Sequence, residues 1–358
     1  MLKISNKNQG NTYTMIGVDF GSQSIKSVAL SGRKGSFQVE SCGEVATPKG
    51  AIVDYQIQNE DAVTKAVGQL LRTLGVRTKY VATSVSGSNV ISKVVPIDAT
   101  YDTDDAIADY IAREADQLVP FASEDVRLDF EVIGPNLNDS SKNDLLVCAT
   151  RTANVYDRMN VIAANGYEAK VIDVSVHALA RAACALVPGL SDNSSKCVAL
   201  VDVGAVTMTF GVMVNGEVIY SRLQSFGGDN FTQNIAHFYH IPFEEAEKMK
   251  VQDRLPADAP TDVIPPHFSA LTNQIKRNIQ LFLSAAGSNA KIDMVVLTGG
   301  ASQIPGLADH LATQLKKDVR NPDPFDTAPD LRSEFVKHGG KYMTALGLAL
   351  RSFVPCQL

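Results

Sequence analysis

Apolar and polar positions alternate along some stretches of the chain and follow a helical spacing along others. Met15-Ile-Gly-Val-Asp19-Phe-Gly21-Ser-Gln-Ser-Ile-Lys26 reads as a short apolar strand that delivers an aspartate, then a tight turn into a second strand. Alternating segments follow at Ser24–Leu30 and Phe37–Val45. From Asp61 to Gly75 the period changes. Val63, Ala66, Val67, Leu70, Leu71 and Leu74 form one helical stripe, with Gly75 as its cap. Tyr80–Val85 is a further strand. The layout then recurs: Val198-Ala-Leu-Val-Asp202-Val-Gly204-Ala-Val-Thr207 is again apolar strand, Asp, x, Gly and hydroxyl, followed by alternating segments Met208–Val214 and Glu217–Leu223. Asn215-Gly216 between them is a strong hairpin signal. A strand–turn–strand–strand unit that appears twice predicts two similar half-domains.

Between the copies the pattern predicts a strand (Ile91–Pro96), a helix after Asp102-Thr103 with Ile107, Ile111 and Leu118, and strands Val126–Ile133 and Leu145–Ala149 around a polar tip at Asn136–Asn143. A helix, Thr152–Asn165, and a strand, Tyr167–Ile172, complete a β-α-β-β-α-β module. The domain plan is a flexible N-terminus (1–14), a first core subdomain (15–90), this inserted α/β subdomain (91–172), and a return helix with linker (173–195). The second core begins at 196–224, an outer subdomain covers 225–290, the second core resumes at 291–340, and a helix closes the chain at 341–358. Within these, His267–Ala286 is the main outer helix, a further helix starts near Pro305, and Asn321–Arg332 is a proline-rich loop.

The two Asp turns carry the candidate chemistry. A tight turn that exposes N–H groups can hold phosphate oxygens, and Gly21 and Gly204 let the backbone approach closely. Asp19 and Asp202 are hard oxygen ligands suited to Mg²⁺, directly or through water. Ser22, Ser24 and Thr207 can donate to phosphate and Lys26 can add charge, although a lysine on a strand is equally a solvated one. The Gly299-Gly300 turn lets a base or ribose lie flat against backbone. Lys276 and Arg277 are candidates to sit over ribose and adenine, with Asn273 one turn earlier; the plain alternative is a basic surface face. His237-x-x-His240 lacks the partners of a metal site. No nucleophile–base set, Walker loop or catalytic carboxylate stands out.

Composition narrows the classes. The hydrophobic share of 45% and charged share of 20% are those of a soluble globular protein, and a net charge of −6 argues against broad phosphate neutralisation on nucleic acid. Five cysteines (Cys42, Cys148, Cys184, Cys197, Cys356) are scattered without a C-x-x-C pair, as reduced cytosolic thiols are. No signal peptide or membrane-spanning run is read, so a cytoplasmic location is expected.

The β-β-β-α-β order resembles a ribonuclease-H-like core, and the motifs resemble the actin/Hsp70/sugar-kinase superfamily. Asp19-Phe-Gly-Ser-Gln-Ser is similar to its first phosphate motif, Asp202-Val-Gly-Ala-Val-Thr207 to its second, and Leu297-Thr-Gly-Gly-Ala-Ser-Gln-Ile-Pro-Gly306 to its adenosine motif. Ser225-Phe-Gly-Gly-Asp229 resembles the entry to the outer subdomain and Ala345-Leu-Gly-Leu-Ala349 the closing helix. The resemblance adds Gln23, Ala205, Gly228, Ala301 and Ser302 to the nucleotide contacts. It implies an α/β, actin-like (ribonuclease-H-like) duplicated two-domain fold binding ATP with Mg²⁺ in the interdomain cleft. The insert resembles that of the FtsA and PilM families. FtsA is longer and ends in an amphipathic helix, so the type IV pilus assembly PilM family is the closer likeness.

That likeness implies a partner, the cytoplasmic N-terminal tail of PilN, held between the first core and the insert. It also implies attachment to the inner membrane through PilN and PilO, a role in twitching motility, and possible contact with pilus assembly ATPases or with other copies of itself. The alternatives are an FtsA-like filament former and an actin-fold enzyme, either an ATPase or a small-molecule kinase.

Overall fold

Strand β1 (Met15–Phe20) is buried on both faces, as its unbroken apolar run requires, and lies at the centre of a five-stranded sheet. The computed structural model describes residues 14–88, 90–118, 125–136, 139–190, 195–287, 290–326 and 339–353. The chain divides into two units, residues 1–178 with 345–358 and residues 179–344.

In the first unit β1 pairs antiparallel with β2 (Ser24–Arg33), which pairs with β3 (Ser36–Ala46). A two-residue-strand hairpin follows, β4 (Ile52–Val53) with β5 (Gln56–Ile57). Helix α1 (Glu60–Thr73) starts at Asn59, whose side chain accepts from the Ala62 amide at 3.0 Å, with Glu60 and Asp61 favouring the positive end of the helix. Its stripe of Val63, Val67, Leu70 and Leu71 packs with Ile16, Val18 and Ile25 of the sheet. Strand β6 (Tyr80–Val85) returns parallel to β1.

The inserted segment contains β7 (Val90–Asp98), α2 (Asp104–Leu118), β8 (Val126–Pro135) and β9 (Lys142–Arg151). These strands form a separate sheet in the order β7-β9-β8, with Ile107 and Ile111 of α2 against Ile97, Leu145 and Val147. The next two elements depart from the expected module. Strand β10 (Glu168–Val174) joins the first sheet, parallel to β6, giving the order β10-β6-β1-β2-β3. Helix α3 (Thr152–Ala163) packs with it: Val161 and Ile162 lie in the same core as α1. A β-α-β-β-α-β order can belong to one sheet or be divided between two, and pairing partners alone distinguish them. Helix α4 (Ser175–Leu186) follows, and the unit boundary falls inside it, ahead of the linker expected at Pro188–Lys196.

The second unit repeats the plan. Strands β11 (Cys197–Val203), β12 (Met208–Val214) and β13 (Glu217–Gln224) form an antiparallel run, turned at Asn215 (φ +55°) and Gly216 (φ +85°). Helices α5 (Gly228–Tyr239), α6 (Phe243–Val251), α7 (Ala259–Asp262) and α8 (Ile264–Ala286) follow. Helix α8 begins before His267 because prolines are tolerated in a first turn. Strand β14 (Met294–Thr298) is parallel to β11, and after α9 (Leu307–Leu315) strand β15 (Asp318–Arg320) is parallel to β14. The α9 start lies beyond Pro305, since Gly306 takes φ +82° and turns the chain first. The order β15-β14-β11-β12-β13 matches that of the first sheet strand for strand. The duplicated fold expected from the two Asp turns is present.

The chain closes with α10 (Met343–Ala349), whose residues from Ala345 on belong to the first unit. A β-carbon built at Gly17 would lie 2.0 Å from the Ala345 carbonyl oxygen and 2.6 Å from the Ala349 nitrogen. The Met15 amide donates to Ser352 Oγ at 2.8 Å. Expectations for residues 1–13 of the flexible N-terminus, for Leu118, for the C-terminus beyond 353 and for parts of the Asn136–Asn143 tip, the linker and the proline-rich loop lie outside the residues or side chains described. Because only backbone opposes a side chain at Gly17, Gly17→Ala is expected to lower stability by about 3 kcal/mol. Urea unfolding checks this, and an unchanged midpoint would contradict the packing.

Candidate functional site: two aspartate turns and a glycine turn

Strand β1 delivers Asp19 opposite Lys26 of β2 in the antiparallel register. Lys26 Nζ lies 3.8 Å from Asp19 Oδ2 and donates to the Ser24 carbonyl at 3.1 Å. Lys26 is therefore engaged by the turn itself. The Asp19 side chain is 21% exposed, and burial holds its carboxyl above the ordinary range despite the opposing charges of Lys26 and Arg158. Thr47 fixes the turn from outside. Its amide donates to the Gln23 carbonyl at 3.0 Å and its hydroxyl to the Gly21 carbonyl at 2.7 Å. Ser22 is half-buried, Gln23 exposed and Ser24 buried.

In the second unit Asp202 occupies the equivalent strand end and accepts from Thr298 Oγ1 at 3.0 Å. The turn closes through the Gly204 amide to the Thr207 carbonyl at 2.9 Å. Its carbonyls then receive the first amides of α5: Gly228 donates to Gly204 at 2.9 Å and Asp229 to Ala205 at 2.8 Å. The orphan donors of the helix start are thus satisfied by the turn, which fixes one against the other.

The two glycines after β14 differ. Gly299 has φ +92°, and a β-carbon there would lie 2.3 Å from the Val203 carbonyl oxygen, so this glycine serves the fold. Gly300 is exposed, and the nearest atom to a β-carbon there is Lys341 Cβ at 3.9 Å. The open side expected of the pair belongs to Gly300. Ser302 is buried and its hydroxyl donates to the Gly299 carbonyl at 2.7 Å, bracing the turn. Ala301 lies beside Gly228, its Cβ 3.2 Å from where a Gly228 side chain would begin. Asp202, Gly204, Ala205, Thr207, Gly228, Gly299 and Ala301 are thus brought together in one unit.

Asn273, Lys276 and Arg277 share a face of α8, but among the described residues no hydrogen bond or ion pair ties them to this cluster. A cation that does reach it is Lys250 of α6, which the sequence reading passed over. Its Nζ donates to the Gly228 carbonyl at 3.2 Å and to Thr232 Oγ1 at 2.6 Å, and pairs with Glu247 at 2.6 Å. In sequence, a Glu and a Lys three apart read as a solvated helical pair. Arg158 was missed for a similar reason, following Asp157 on α3. The signal was its helical phase with Val161 and Ile162, which are buried with it.

A second candidate site lies in the first unit, where Asp129 of β8, Cys148 of β9 and β10 residues 170–174 line a cleft with Arg351. Arg351 is 4% exposed, with its Nε 4.0 Å from Asp173 Oδ2, and its Nε and Nη2 have no hydrogen-bond partner among the described residues. Burial raises the Asp129 carboxyl and pushes the Cys148 thiol up to about 12, so Cys148 is an inert neutral group there.

The family model described as type IV pilus assembly protein PilM matches residues 17–353. The chain belongs to that family. Among solved structures, this PilM-family chain is similar to a PilM–PilN type IV pilus biogenesis complex, with TM-score 0.81 and 22% identity over 96% of this chain and 100% of that one. It is also similar to the ethanolamine utilization protein EutJ of Carboxydothermus hydrogenoformans, with TM-score 0.59 and 19% identity over 94% and 89% of the two chains. MreB5 of Spiroplasma citri, solved with bound AMPPNP, gives 0.51 and 12% over 94% and 95%. The fold is accordingly the actin-like one. Cell division protein FtsA of Bacillus subtilis is 24% identical over 68% of this chain, and that of Buchnera aphidicola subsp. Acyrthosiphon pisum 25% over 38%. The chain spans 58% and 39% of the lengths of these two relatives, less than two thirds of either.

His267 lies beneath the Gly228 turn, 1% exposed and stacked with Phe226 and Phe231 at 5.7 and 4.7 Å. Burial, aided by Lys250, lowers its pKa to about 4. A depressed histidine stabilises the fold fully above its unfolded value near 6.5 and loses that contribution as pH falls toward 4, about 3 kcal/mol in all. His267→Phe is expected to show a smaller drop in urea midpoint between pH 7 and pH 4.5 than the wild type. An equal drop would remove this role.

Proposed function

We propose that the protein is an ATP-binding, actin-like scaffold of the type IV pilus inner-membrane assembly complex. In this reading both Asp turns serve ATP and its Mg²⁺. Asp19 and Asp202 hold the metal, directly or through water, while the turn amides with Ser22, Ser24 and Thr207 hold phosphate. The open face at Gly300 takes the adenosine, with Lys341 beside Gly300 and Lys250 beside Gly228 as neighbouring cations. The single observation that carries the proposal is the repetition of an aspartate at equivalent strand ends of two identically ordered sheets, in a chain of the PilM family. That one relative by fold was solved with a nucleotide analogue and another with PilN adds support.

The partner in this reading is the cytoplasmic N-terminal tail of PilN, taken by the cleft of Asp129, Asp173 and Arg351 between β8 and β10. Among the described residues no helix is long and apolar enough to cross a membrane, so attachment to the inner membrane would come through PilN and PilO. ATP then sets the state that the tail reads, by differential affinity, and turnover is slow or incidental. Contact with pilus assembly ATPases and self-association are compatible with this role. No observation favours a kinase, for which a substrate-facing carboxylate would be needed.

Asp19→Ala and Asp202→Ala are each expected to weaken Mg-ATP at least about tenfold while keeping the wild-type urea midpoint. Calorimetry checks this, and wild-type affinity in both variants would sink the assignment. Titration with a synthetic PilN tail peptide, with and without Mg-ATP, is expected to show binding and equal reciprocal changes of the two affinities. Nucleotide binding with no peptide binding would favour the filament or enzyme reading.

A further inference from the structure

Arg158 has no part in the assignments above, yet the structure buries it to 1% exposure. Its fork is spent on backbone: Nε donates to the Ser84 carbonyl at 2.8 Å, Nη1 to Asn154 at 2.9 Å and Nη2 to Tyr55 at 2.7 Å. Its guanidinium carbon lies 5.7 Å from the ring centroid of Phe20, the residue after Asp19. All three acceptors are neutral, and the carboxylates whose charge reaches the group are those of Asp157 and Asp19. An apolar side chain of similar volume would fill the space without desolvating a cation, so packing alone does not account for the choice.

Geometry supplies a reason. Asp54 and Tyr55 are the two central residues of the β4–β5 hairpin, at φ +48° and +62°, the sign that a two-residue primed turn requires. Arg158 holds this turn through the Tyr55 carbonyl. The same side chain grips the end of β6 through Ser84 and lies over Phe20, so three segments are joined around the point where β1 delivers its aspartate. We propose that Arg158 is a positioning residue for the first phosphate turn, holding Phe20 and hence the Asp19 carboxylate where Mg-ATP requires them. This rests on the nucleotide reading above.

The test titrates Mg-ATP, and ATP with the metal chelated, into the full-length wild type, Arg158→Met, Arg158→Lys and Phe20→Leu, below each melting temperature and after circular dichroism. Arg158→Met is expected to weaken Mg-ATP about tenfold or more but metal-free ATP by no more than about twofold, since the loss passes through Asp19. Arg158→Lys is expected to recover part of the affinity. If Arg158→Met does not fold, Arg158→Lys and Phe20→Leu decide, with the double variant losing less than the product of the single losses. A folded Arg158→Met within twofold of wild type, an equal loss with and without metal, or strict additivity of the pair would overturn the proposal. A wild type that does not bind Mg-ATP would overturn the nucleotide reading and this proposal with it. Wild-type binding beside an indifferent Arg158→Met would overturn this proposal alone.

Discussion

The close approach of α10 to β1 is the constraint on which the first unit depends. At Gly17 a helix carbonyl occupies the place of a side chain, and nearby the β-carbon position of Gly347 is filled by the Ala178 carbonyl at 1.8 Å. Backbone packed against backbone leaves no rotamer to adjust, so the central strand has a single seating. Asp19 stands two residues beyond Gly17 on that strand. The position of the candidate metal ligand is therefore set from behind by the closing helix and from the side by Lys26 and Thr47.

The second unit reaches the same strand-end geometry by other means. The residue opposite Asp202 on β12 is Thr209, where the first unit has Lys26, and the neighbour that bonds it is Thr298 of the parallel strand. The turn is steadied by capping α5, where the first unit uses Thr47 at the end of β3. A duplicated sheet fixes where an aspartate emerges; the groups around it follow from the local connection, a strand hairpin in one unit and a helix start in the other.

Much of the fold was legible in sequence because its elements carry their own period. The stripe from Val63 to Leu74 and the Asn215-Gly216 turn are local signals, and the repeated Asp-x-Gly stretches state the duplication outright. The assignment of β10 was not legible, since the sequence of Glu168–Val174 marks a partly buried strand and not the sheet that it joins. The backbone turns of the candidate site could be read in the same way as the fold. The buried charges around them could not. Arg158 and Lys250 look like ordinary helical surface residues beside Asp157 and Glu247, and only tertiary packing turns them inward. The contrast between Gly299 and Gly300 is likewise invisible in sequence, because one contacts Val203 and the other contacts nothing close.

The first unit is also discontinuous: the Met15 amide and the Ser352 hydroxyl that receives it are 337 residues apart. On a ribosome, residues 179–344 emerge as one contiguous stretch and can assemble their sheet while the first unit still lacks α10. Strand β1, made before that stretch, is then sealed only after it, and its face at Gly17 stays open until α10 has been made. Until then the nascent first unit exposes apolar surface that the finished fold covers.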